Sequence, residues 1–141
     1  MCRRSRKAIL GSISVLALVA SGTVGLADTI DSGVIGAWTT SAADCARIFQ
    51  WRDGVFSYRQ PVDKFAQAAI IEPHQILGPA NACRIRDVAH VKDVLSVTLE
   101  CEDSVSFTSR TVQIKVRSGT EIIYSPTGDP ALDTNYVKCP P

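Results

Sequence analysis

ACRIRDVAHVKDVLSVTLECE, residues 82–102, divides into two β-like runs, 82–91 and 94–102, on either side of the polar pair Lys92-Asp93. Leu95, Val97, Leu99 and Cys101 alternate with Ser96, Thr98 and Glu100, which puts one apolar face on the second run. Folding the chain back about position 92 sets Cys83 opposite Cys101, with Cys83 and Ile85 on the face that carries Leu99. The same register sets Arg84 opposite Glu100. A solvated cross-strand ion pair then accounts for Glu100 and Glu102 better than a pair of acid/base carboxylates does.

The remaining cysteines follow from this hairpin. Cys2 precedes the apolar stretch near the start of the chain, which leaves Cys45 and Cys139 to join the beginning of the domain to its end. Loop-closure entropy assigns about 3 kcal/mol to the short loop and about 4.7 kcal/mol to the long one. No pair of cysteines has the close spacing of a zinc site, so two disulfides are the reading.

Residues 1–27 have the layout of a secretory signal peptide. Arg3, Arg4, Arg6 and Lys7 form the cationic end, Ala8 to Ala20 the apolar region, and Gly25-Leu26-Ala27 the small-residue cleavage site, with cleavage after Ala20 as the alternative. The apolar region is about 13 residues where a spanning helix needs roughly 20, so no membrane span is expected once the leader is removed. Removal of those four cations leaves 11 Lys+Arg against 14 Asp+Glu, and a net charge of +1 becomes −3. An acidic domain lacks the cationic surplus of a nucleic-acid binder. The expected compartment is oxidising, periplasmic or secreted.

Outward from the hairpin, 28–141 reads as one domain. A strand is expected over 34–40, then a short helix from Ala42 to Phe49 N-capped by Ser41, its apolar stripe made by Cys45, Ile48 and Phe49. Asp53-Gly54 is a turn signal before a strand from Val55 to Tyr58, and AAIIE at 68–72 is β-like. Strands over 105–116 and 120–125, a turn-rich loop at 126–135 and a last short strand at 136–139 complete the chain. The expected fold is mainly β: a small antiparallel barrel or half-barrel with one short N-terminal helix and two disulfides.

No nucleophile elbow, paired-histidine zinc motif or phosphate loop occurs. His74 and His90 read as exposed polar residues, and Asp129 and Asp133 as turn formers rather than calcium ligands. No catalytic residue, metal or cofactor is expected. Residues 55–77 carry Phe56, Tyr58 and Phe65, read as aromatic anchors for a partner, against the alternative that they plug an open barrel end.

Gly36-Ala37-Trp38 at the head of the first strand resembles the G-x-W signature of calycin-like barrels. With Cys45 close behind, it also resembles the start of small periplasmic β-barrel proteins such as the Inh-type inhibitors of secreted metalloproteases. A lysozyme-inhibitor-like barrel is a similar analogy, and the order of leader, G-x-W, A-D-C, paired cysteines and terminal cysteine is similar to small exported bacterial proteins of unknown function. The resemblance implies that Trp38 closes one barrel end beneath a basic residue of the last strand, here Lys138. It also implies inhibition through an N-terminal trunk, for which only 28–34 precede the first strand, and its pattern has one disulfide rather than two. Together these readings predict an exported, non-enzymatic module binding or inhibiting another envelope or secreted protein. A small-ligand-binding barrel is the alternative, and an uncharacterised hydrolase the second. Peptide mapping of the unreduced protein is expected to recover Cys83 linked to Cys101 and Cys45 linked to Cys139; four free thiols would refute the disulfide framework.

Overall fold

The computed structural model describes residues 29–141, so the leader expected over 1–27 lies outside the described residues. Ten strands form: β1 (Gly36–Thr39), β2 (Phe49–Arg52), β3 (Val55–Tyr58), β4 (Ala68–Ile71), β5 (Gln75–Leu77), β6 (Ala82–Val91), β7 (Val94–Glu102), β8 (Phe107–Ser118), β9 (Glu121–Ser125) and β10 (Thr134–Lys138). Eight of them close an antiparallel barrel in the order β1-β10-β9-β8-β7-β6-β5-β4, while β2 and β3 form a separate hairpin. Closure removes the exposed sheet edges that an open sheet of this length would present.

The central hairpin pairs as its alternation requires, with Cys83 opposite Cys101 and Arg84 opposite Glu100. Its turn is centred between Lys92 and Asp93, since Val91 lies opposite Val94. A regular ladder from that turn would set Cys83 against Glu102. A bulge between Ile85 and Asp87 inserts Arg86 and shifts the far half by one residue, which brings the two cysteines together. The bulge also changes the phase of burial along β6, from Cys83 and Ile85 to Val88, which packs opposite Val97. The ion pair expected between Glu100 and Arg84 does not form. Glu100 does form a surface ion pair, but with the bulged Arg86 at 2.9 Å rather than with Arg84.

Other boundaries shift for local reasons. The expected helix over 42–49 is a 3-10 turn (Ala42–Asp44) followed by one α-helical turn, α1 (Cys45–Ile48), and Ser41 makes no side-chain cap. Phe49 instead begins β2, because its ring joins Phe56 and Tyr58 across the hairpin. Arg59 ends the helix by donating from Nε to the carbonyls of Ala46 (2.6 Å) and Phe49 (3.0 Å). The first strand is shorter than 34–40, since Ser32–Val34 turns as a 3-10 segment capped by Asp31. Asp129 caps a similar turn, Pro130–Leu132, and shortens the expected loop so that β10 starts at Thr134.

Two cores lie on opposite sides of the barrel wall. Ile30, Val34, Trp38, Val88, Val97 and Val112 are among the side chains that fill the interior. Outside the wall, α1 and the β2–β3 hairpin cover a second core of Ala37, Ile48, Phe49, Ala68, Ile70 and the Cys45–Cys139 disulfide. The run AAII in β4 is apolar on consecutive residues because its two faces serve both cores: Ile71 the interior, Ala68 and Ile70 the exterior.

The barrel closes where β1 meets β10, and that seam is short. Only Trp38 with Lys138 and Thr39 with Val137 are paired there. The Cys45–Cys139 disulfide spans it from outside, and the Cys139 amide donates to the Ala37 carbonyl at 2.8 Å. Replacing both Cys45 and Cys139 by Ala is expected to lower unfolding free energy by about 4 kcal/mol. Amide exchange should speed first in β1 and β10, while β6–β8 keep their protection. Uniform loss of protection would show that the seam is not the weak point.

Candidate functional site

The two ends of the barrel differ. At the end where β1 begins, Ile30 and Val34 are buried beneath the strands, and the Trp38 indole Nε1–H donates to the Val34 carbonyl at 2.8 Å. Lys138 crosses this end: its Nζ lies 5.4 Å from the Trp38 ring centroid and donates to the Gly33 carbonyl at 3.1 Å. Gly36 permits that crossing. Its φ is +141°, and a Cβ there would stand 2.8 Å from Lys138 Cε. Each residue of the G-x-W stretch thus has a distinct place: Gly36 under the lysine stem, Ala37 in the outer core, Trp38 in the interior.

The opposite end is not filled. There, where β4 starts and the β5–β6 turn crosses, a cavity of about 200 Å³ opens between the strands. Trp38, Ala69, Leu99, Ile114 and Ile122 form much of its apolar lining, and Gly78, Pro79 and Asn81 of the β5–β6 turn border it. Tyr124 and Tyr136 meet edge to face across one side, ring centroids 6.2 Å apart. Arg110 completes the lining. It lies opposite Leu99 on the inward face of β8, and its guanidinium reaches 3.9 Å from Cys83 Sγ.

Alternation in β8 explains why an arginine points inward. Val112 and Ile114 are fully buried on the barrel side, so Arg110, two residues earlier, shares their face. Among the described residues no carboxylate lies within ion-pair distance of Arg110, although Arg47, Arg86 and Lys115 all have acidic partners. Burial raises the Tyr124 phenol above its ordinary value, with nearby Arg110 pulling the other way. Burial, followed by Tyr124, raises Tyr136 as well. Both phenols therefore stay neutral donors at physiological pH.

The residues proposed from sequence as partner anchors lie elsewhere. Phe56 and Tyr58 are half-buried on the outer core, with the Phe56 ring 4.5 Å from Trp51 by centroids. The Tyr58 hydroxyl donates to the Leu77 carbonyl at 2.8 Å, with the Ala68 carbonyl at 3.3 Å, and so bridges β4 and β5. Phe65 is 95% exposed on the loop before β4. Two thus brace the hairpin against the wall and one stands in solvent. His74 and His90 are exposed, and no metal-ligating cluster occurs among the described residues. Nor is any described helix long and apolar enough to cross a membrane. Arg110, Tyr124 and Tyr136 escape a reading based on motifs, because their shared feature is an inward position at one barrel end.

The buried phenols make stability fall in alkali. Desolvation, then Tyr136, raises the Tyr58 phenol, so the folded protein retains a proton that the unfolded chain releases above its ordinary value of about 10. The stabilising contribution is complete below pH 10 and declines as pH rises further, by up to about 1.4 kcal/mol per unit for a fully shifted group. Urea unfolding at pH 9 and pH 11 should show this decline, and Tyr58→Phe should flatten it. An unchanged slope in Tyr58→Phe would place the alkaline loss on other groups. Comparison of the chain with protein-family models, with curated proteins and with solved structures found no match.

Proposed function

We propose that the protein is an exported, non-enzymatic binding barrel that holds a small, largely apolar molecule in the open end. The observation that carries this reading is the contrast between the two barrel ends. One is packed by Ile30, Val34 and Trp38 and crossed by Lys138, whereas the other keeps a 200 Å³ cavity walled by Leu99, Ile114 and Ile122. Protein interiors ordinarily close-pack, so a void of this size in so small a core is a feature to be occupied. The leader and two disulfides agree with work in an oxidising compartment, periplasmic or extracellular.

Binding to another envelope or secreted protein, including inhibition of a hydrolase, is the second reading. Nearly full exposure of Phe65, with Trp51 and Val55 exposed on the β2–β3 hairpin, favours it. Seating of Phe56 and Tyr58 in the outer core weighs against those two residues as free anchors. Tyr58→Ala should therefore lower the melting temperature rather than merely weaken capture of a partner.

Titration with toluene or indole, followed by NMR of the oxidised exported protein, tests the first reading. Saturable shifts are expected at Trp38, Leu99 and Ile122. Ala69→Leu fills the cavity and should abolish those shifts with a melting temperature within a few degrees of the parent. If no ring compound produces shifts and Phe65→Ser eliminates retention of an envelope protein, the second reading replaces the first.

A further inference from the structure

Among the described residues, one fixed charge lines the cavity. Of the described residues in the lining, Arg110 alone is permanently ionised, and the other polar side chains there are neutral: the indole of Trp38, Asn81 and the phenols of Tyr124 and Tyr136. No acid of the described residues pairs with it. Its side chain is exposed at the mouth, yet its guanidinium lies against the disulfide of the wall, 3.9 Å from Cys83 Sγ. A guanidinium beside an apolar hole carries a planar fork of donors, of the kind that takes both oxygens of a carboxylate.

Size restricts what can follow the charged group inward. A cavity of about 150 Å³ accepts a benzene ring. The 200 Å³ here holds such a ring and a short chain, about ten non-hydrogen atoms in all. Long acyl chains exceed it. The indole of Trp38 and the edge-to-face pair Tyr124–Tyr136 offer aromatic walls to a flat ring.

We infer that the ligand class is a compact aromatic monocarboxylate, its ring seated against Trp38, Tyr124 and Tyr136 and its carboxylate held at the mouth by Arg110. This rests on the reading of the open end as a ligand site and assigns that site a charge and a size. Tyr124 and Tyr136 act as neutral donors or ring contacts. The acid binds as its anion, so affinity holds above the carboxylic acid's own pKa and falls as pH drops through it. Exposure of Arg110 makes affinity decrease with added salt.

Phenylpropanoate and phenylpropanamide, nearly equal in size and different in charge, form the test. Titration calorimetry and NMR on the oxidised exported protein should show the acid binding at least tenfold tighter than the amide. Arg110→Met should weaken the acid by about ten- to a hundredfold and leave the amide unchanged, and Arg110→Lys should recover part of the loss. Decanoate should bind more weakly than phenylpropanoate. Equal affinity for acid and amide, or an Arg110→Met variant that still prefers the acid, overturns the carboxylate assignment while leaving the cavity a ligand site. Binding of neither compound, with toluene and indole also silent, overturns both. Circular dichroism and melting of Arg110→Met guard against misfolding, and an intact variant is expected because Arg110 supports no ion pair.

Discussion

Four residues, Gly36–Thr39, close the barrel by pairing on both edges at once, with β10 on one side and β4 on the other. A strand so short supplies few hydrogen bonds, and on the β10 side only two residue pairs hold the seam. Its stability comes from position instead. Trp38 and Ala37 are both completely buried, one in each core, so opening the seam exposes the two cores together. Lys138 across the indole and Cys139 tied to Cys45 place a cation–π contact and a long-loop cross-link on the same few residues.

With the seam locked at one end, the barrel's interior is unevenly filled. The segment before β1 folds back beneath Trp38, whereas the far end receives no comparable plug among the described residues. Small side chains keep it open: Ala69 faces inward where a larger residue would fill the void, and Gly78 and Asn81 make a tight turn at the rim. Arg110 then sits where the apolar series of β8 leaves the packed core and reaches the mouth. An inward charge at that depth is tolerable because its head remains hydrated, in contrast to a position two residues further on, where Val112 is fully buried.

Much of the wall was legible from alternation and cysteine spacing, because a two-residue period and two disulfides constrain neighbours directly. In the segment 60–82 only the AAIIE run was legible as a strand: β5 is three residues long, too short for alternation to mark it, and burial of AAII on both sides hides which face turns inward. The helix was overextended to Phe49 because an i, i+3, i+4 stripe cannot tell a helix from a helical turn running into a hairpin. The pairing of Glu100 with Arg86 depended on a bulge, and a bulge is set by the conflict between turn centre and cysteine register, not by residue type at Arg86.

The sequence by itself determined the strands of the central hairpin, the two cysteine pairs, the mainly β class and the acidic charge of residues 28–141. These are properties of neighbours along the chain or of spacing about a turn. Only the tertiary structure decided that the sheet closes completely, that Phe56 and Tyr58 brace an outer core, and that Arg110, Tyr124 and Tyr136 border one cavity. Those facts depend on which residues from different strands reach the same end of the barrel. Strand stagger and closure set that, and no local pattern encodes either one.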